Sequence, residues 1–164
     1  MKLHSSAFAS GSSMPKQHTG EGQDISPQLT WEDVPDSTKS FALICDDPDA
    51  PSAKHPAPQP WVHWVIYNIS GEARSLSAGI ARELKPATPA GACQGQNSWL
   101  SENVGYLGPM PPNGSGPHRY FFKLYALDGD LSLAPTQACK QSLLDAIRGH
   151  VLAEAVLIGI YERA

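Results

Sequence analysis

At 164 residues, with 41% hydrophobic and 17% charged side chains, the chain can bury one hydrophobic core, and a single domain over residues 1–164 is expected. Its 12 basic residues are scattered and outnumbered by 16 acidic ones, a formal net charge of -4, which excludes nucleic acid as a partner held by clustered cations. No apolar run has the length of a membrane span, and Met1–Phe8 lack the continuous apolar stretch of a secretory leader, so the expected location is cytoplasmic.

The first forty residues carry turn signals at Gly11, Gly20-Glu21-Gly22 and Pro35 with short apolar pieces between them, a pattern of edge structure. Ser40–Cys45 is a continuous apolar run, too short for a helix and halted by Asp46-Asp47-Pro48, and is read as a central strand covered on both faces. Cys45 within it is a small buried hydrophobe with no catalytic role. Together with the distant Cys93 and Cys139 it makes no disulfide framework and no Cys-x-x-Cys pair.

Trp61–Tyr67, β-branched and aromatic, follows a Pro-rich loop and reads as a second buried strand. Ser70–Pro117 is dense in Gly and Pro and is read as a long loop, the rim of a binding site. His118–Leu127 alternates as a third strand ended by Asp128-Gly129-Asp130. One amphipathic helix is expected over about Thr136–Arg148, with Cys139, Leu143 and Ile147 on one face and Gly149 after its end. Val151–Tyr161 returns to strand. Short strands outnumber helices and do not alternate with them, so the class is mainly β and largely antiparallel, with a helix near the C-terminus.

Three places carry chemistry: Asp47-Pro48-Asp49-Ala50-Pro51, His63, and Gly116-Pro117-His118-Arg119-Tyr120. Each has a bland reading, as a turn or as a core histidine. The strand period of two, however, puts His118 and Tyr120 on one face, roughly 7 Å apart at Cα, where both side chains reach one small anion. Arg119 goes to the other face as an ion-pair former, with Asp49 or Asp46 as partner.

The first segment matches a DPDxP box and Gly116–Arg119 a GxHR box, in that order. With Trp61-Val62-His63-Trp64, Gly105–Pro109, Pro111-Pro112 and Gly149–Ala155, nearly the whole chain resembles the phosphatidylethanolamine-binding proteins, in their bacterial and archaeal Raf-kinase-inhibitor-like branch. The resemblance implies a large antiparallel sheet packed on a smaller one with peripheral helices, and a pocket for phosphate-type anions. Carried over by position, the ligand-binding residues are Asp47, His63, His118 and Tyr120, with Pro51, Trp61, Gly108 and Met110 as wall; the Ala50–Pro51 bond is a candidate cis bond. Val62 and Met110 depart from the pattern seen in many relatives and bear on the size of the ligand.

Imidazole N–H groups, the Tyr120 hydroxyl and loop N–H groups suit a phosphoryl group, while Asp47 and the Trp61 face suit the ammonium of phosphoethanolamine. The expected function is therefore non-catalytic binding of phosphate or a phospholipid headgroup, without a cofactor. The resemblance also implies a kinase or protease as possible protein partner and a possible homodimer. Two rival readings are a metal-dependent enzyme using a His63, His118 and Asp47 triad, and a scaffold with a vestigial pocket. No His-Glu-x-x-His and no Gly-x-Ser-x-Gly motif supports turnover.

Overall fold

The structure, a computed structural model, describes residues 1–100 and 103–164. In chain order its strands are β1 (Lys2–His4), β2 (Ser12–Ser13), β3 (Leu29–Glu32), β4 (Ser40–Asp47), β5 (Trp61–Ser70), β6 (Ser75–Leu76), β7 (Cys93–Gln94), β8 (His118–Leu127) and β9 (Val151–Tyr161). Helix α1 (Lys140–Ile147) lies between β8 and β9. A 3-stranded sheet has the order β1-β3-β6 and a 6-stranded sheet the order β2-β9-β8-β4-β5-β7. All pairings are antiparallel except that of β2 with β9.

β4 is the spine of the large sheet, and every one of its residues is buried. The strand period sends Phe41, Leu43 and Cys45 inward, where they meet Trp64, Ile66, Phe122 and Leu124 of the same sheet and Leu29, Trp31 and Leu76 of the small sheet. Ala42 and Ile44 face outward with Val65 and Tyr67, beneath Leu143 and Ile147 of α1. A strand buried on both faces reads as an unbroken apolar run because neither face has a solvent side to mark with polar residues.

β4 does not stop at Cys45, as the acidic residues after it suggest; Asp46 and Asp47 continue the strand. Asp46 faces outward and is kept there by Lys123 Nζ at 3.0 Å and Lys140 Nζ at 2.7 Å, which also ties the start of α1 to the sheet. The helix is shorter than its periodicity predicts. Pro135–Gln137 form a 3-10 turn, and Cys139 is extended at the N-cap, its N–H donating to Ser142 Oγ. The apparent first repeat, Cys139, is thus the cap of the helix and not its first turn. The long segment from Ser70 contributes two short strands, β6 and β7, to the two sheets, and β3 is the centre of the small sheet rather than an edge.

Leu43→Ala is expected to lower the unfolding free energy by about 3 kcal/mol, the range for a leucine deleted from a core that cannot collapse around the gap. Val156→Ala, on the open face of β9, should change it by less than about 0.5 kcal/mol. Urea denaturation of both variants checks this.

Candidate functional site

Where β5, β4 and β8 end side by side on the inner face of the large sheet, polar side chains replace the core. β4 pairs with both neighbours there: Asp47 lies opposite Trp61, and Asp46 opposite Phe121. His118 and Tyr120 continue the inward series of Phe122 and Leu124, as the period of two requires.

His63 reaches the same face by a break in that period. Cys45 pairs with Trp64 but Asp46 pairs with Val62, so His63 is an extra residue in the ladder. A bulge re-aims the side chain it inserts. Val62 packs instead against the outward cluster beneath α1, so its departure from the family pattern does not reach the cleft.

The polar groups are fixed by one another. Asp47 Oδ2 accepts the His118 Nδ1 hydrogen at 2.7 Å, and Asp47 Oδ1 accepts the Asp49 N–H at 2.7 Å. His118 Nε2 lies 2.9 Å from Ser115 Oγ, whose loop turns on Gly114 and Gly116, both at positive φ. His63 Nδ1 donates to the Leu107 carbonyl at 2.6 Å. Asp49 takes two side-chain hydrogen bonds from Arg119, at 2.9 and 3.0 Å, and one from the Arg119 backbone N–H. Arg119 thus pairs with Asp49, the first of its two candidate partners, and clamps the Asp47–Pro51 loop to β8. The Ala50–Pro51 bond is cis.

Burial and these partners set the charges. Burial raises the Asp47 carboxyl, and the His118 hydrogen bond works against it. The Arg119 hydrogen bonds hold Asp49 below the usual carboxylate range. Burial pulls His63 down to about 4, against the opposing pull of the Leu107 carbonyl, so its ring is neutral near pH 7. Burial pushes the Tyr120 hydroxyl up and keeps it protonated.

Above this floor is a cleft of about 260 Å³. Asp47, Pro51, Trp61, His63, Met110, His118 and Tyr120 line it, as do Ala50, Pro111, Pro112 and Trp99. Gly108 stands outside the lining. Its N–H donates to Asp24 Oδ1 at 2.7 Å, and a Cβ there would fall 2.2 Å from the His18 carbonyl oxygen, so this glycine serves a close approach of two backbones behind the wall.

Trp99 is the wall residue that sequence reasoning missed. Its ring meets Trp61 edge-on at 5.4 Å and His63 at 5.1 Å, and Tyr120 closes the other side of His63 at 5.0 Å. An isolated tryptophan in a polar loop was the available signal, since such a ring seeks an apolar surface.

The matches to known proteins agree with this architecture. The family model for phosphatidylethanolamine-binding protein matches residues 4–162. The chain belongs to that family. It is 47% identical to a UPF0098 protein of Methanothermobacter thermautotrophicus, over 99% of each chain. Among solved structures, it is similar to a putative phosphatidylethanolamine-binding protein homologue from Chlamydia trachomatis, at 37% identity and a TM-score of 0.82, over 99% of this chain and 97% of that one. It is also similar to E. coli YbcL, described as a member of the mammalian family, at 30% identity and a TM-score of 0.86, over 99% and 98%.

In this member of the family two of the three candidate metal ligands, His118 and Asp47, are otherwise engaged. Both His118 nitrogens and both Asp47 oxygens have protein partners. Among the described residues no three His, Cys, Asp or Glu side chains gather as a metal site. Nor is any described helix long and apolar enough to cross a membrane.

His63 gives the fold a pH dependence whose sign follows from its depressed value. Between about 4 and the ordinary 6.5 the unfolded chain binds the proton and the folded chain does not. Stability therefore falls as acid is added through that window, by an amount on the order of 3 kcal/mol at its lower end. The raised Asp47 carboxyl opposes part of this, because its folded form holds a proton more readily. Urea unfolding at stepped pH should show the slope, and His63→Gln should reduce it by about one proton.

Proposed function

We propose that this chain is a binding protein without turnover, whose cleft takes a small phosphate compound of the phosphoethanolamine type. The observation that carries the reading is the convergence of Tyr120, His63 and the Asp47–His118 pair on one small apolar-walled cleft. The volume of about 260 Å³ lies just under the usual span of about 300–1,000 Å³ for larger organic ligands and suits a compound of this size. The family description names phosphatidylethanolamine, and the lining chemistry favours a zwitterion over a bare anion. Among the described residues Asp47 is the one acidic residue of the lining, and Lys and Arg are absent from it. An ammonium group would meet Asp47 and the faces of Trp61 and Trp99, a contact worth about 0.5–2 kcal/mol per ring according to how dry it is.

A larger depression of about 380 Å³ runs along Ser75–Pro89, with Glu83 as its one titratable lining residue among the described residues. It offers no comparable set of converging groups, which favours the cleft as the binding site.

Calorimetric titration of phosphoethanolamine, phosphocholine and inorganic phosphate into the protein tests the reading. Phosphoethanolamine should bind best, and Asp47→Ala and Tyr120→Phe should each weaken it about tenfold, the worth of one good polar contact. No saturable binding by any of the three would sink it and leave a vestigial pocket.

A further inference from the structure

Both imidazoles of the cleft are anchored through the same nitrogen. His63 Nδ1 faces the Leu107 carbonyl and His118 Nδ1 faces Asp47 Oδ2. A carbonyl oxygen only accepts, so His63 Nδ1 carries the hydrogen, and the neutral ring then bears a lone pair on Nε2. On His118 that second nitrogen is covered by Ser115 Oγ. On His63 no described residue hydrogen-bonds Nε2, and the ring lines the cleft. The open nitrogen of the site therefore accepts a hydrogen and has none to offer.

We infer that the cleft binds a phosphoryl group together with one proton, shared between a phosphoryl oxygen and His63 Nε2, and so selects phosphate monoesters over phosphate diesters. The inference rests on reading the cleft as a phosphoryl site. A monoester monoanion brings its own P–OH, which donates to Nε2 while the Tyr120 hydroxyl donates to an unprotonated phosphoryl oxygen. A diester has no P–OH. It engages Nε2 only if His63 itself is protonated, which burial opposes. A site built around one hydrogen bond rejects the analogue that lacks it, because the buried partner is left unpaired.

The groups that face His63 are Asp47 on β4, His118 and Tyr120 on β8, the Trp99 ring, the Leu107 carbonyl and the Gly108 backbone from the loops, with Asp46 acting at longer range. Tyr120 stays protonated, and the one lining carboxylate among the described residues, Asp47, already accepts at both oxygens. Neither of them takes the ligand's proton near pH 7.

The test is calorimetry of methyl phosphate and dimethyl phosphate with the full chain. Titrations run from about pH 6.5 to 8.5, in two phosphate-free buffers of different ionisation enthalpy, because a monoester loses its second proton near pH 6. Methyl phosphate affinity should fall about tenfold per pH unit in the upper half of this range, with uptake approaching one proton per ligand bound. Dimethyl phosphate should bind at least about tenfold more weakly at the lower end. His63→Gln, whose amide both donates and accepts, should lose the proton uptake and narrow the gap between the two ligands, whereas Tyr120→Phe should weaken binding and keep the uptake. The wild-type proton count decides the matter should H63Q fail to fold. Equal affinity for the two ligands, or monoester binding without proton uptake, overturns the inference and leaves the phosphoryl site standing; binding of neither ligand removes both.

Discussion

The site exists because β4 is paired on both edges and buried on both faces. A strand in that position cannot slip, since a shift of one residue would exchange Phe41, Leu43 and Cys45 for Ala42, Ile44 and Asp46 on the inner face. Its register with β5 and β8 therefore decides what stands next to Asp47, namely Trp61 on one side and the His118–Tyr120 pair on the other. The bulge at His63 is the local exception that this rigid frame holds in place, and it brings a second imidazole into a face that regular alternation would have denied it.

Three carboxylates within four residues meet three different fates, and the differences are geometric. Asp46 points outward and is neutralised by two lysines that anchor α1. Asp49 leaves the strand and is gripped by the Arg119 fork, whose hydrogen bonds lower its pKa. Asp47 faces the cleft with the His118 and Asp49 hydrogen-bond donors on its two oxygens, and burial raises it. Removing one partner of a buried pair leaves the other charge unpaired, so the Asp46 cluster belongs to the stability of the frame. Only the Asp47 arrangement, held in place through Asp49, points at the space a ligand would fill.

The boundaries of β8 and β9 were legible in the sequence, and so was the sorting of His118 and Tyr120 away from Arg119, because strand periodicity alone determines them. The end of β4 was not. An Asp-Asp-Pro run looks like a turn unless one knows that Lys123 and Lys140, 77 and 94 residues away, converge on Asp46. The start of α1 was misplaced for a similar reason: the four-residue repeat counts Cys139 as helix, whereas Pro135 winds a separate 3-10 turn before it. The family pattern supplied the candidate cleft residues but included Gly108, whose constraint is backbone crowding against His18, and omitted Trp99, which no motif covers.

The hydrogen-bond polarity of the cleft was also out of reach of the sequence. Two histidines and a tyrosine read from composition as three donors for an anion. The structure assigns their hydrogens differently, because the protein's own acceptors, the Leu107 carbonyl and the Asp47 carboxylate, take the Nδ1 hydrogens first. His63, anchored in this way and buried, is neutral near pH 7 and keeps its lone pair on Nε2. The cleft therefore offers an acceptor on His63, a donor on Tyr120 and a buried carboxylate, a set complementary to a ligand that is itself amphoteric. A phosphate monoester carrying an ammonium and a protonated phosphoryl oxygen satisfies all three, whereas a bare dianion leaves the His63 lone pair facing negative charge in a site with little water to screen it.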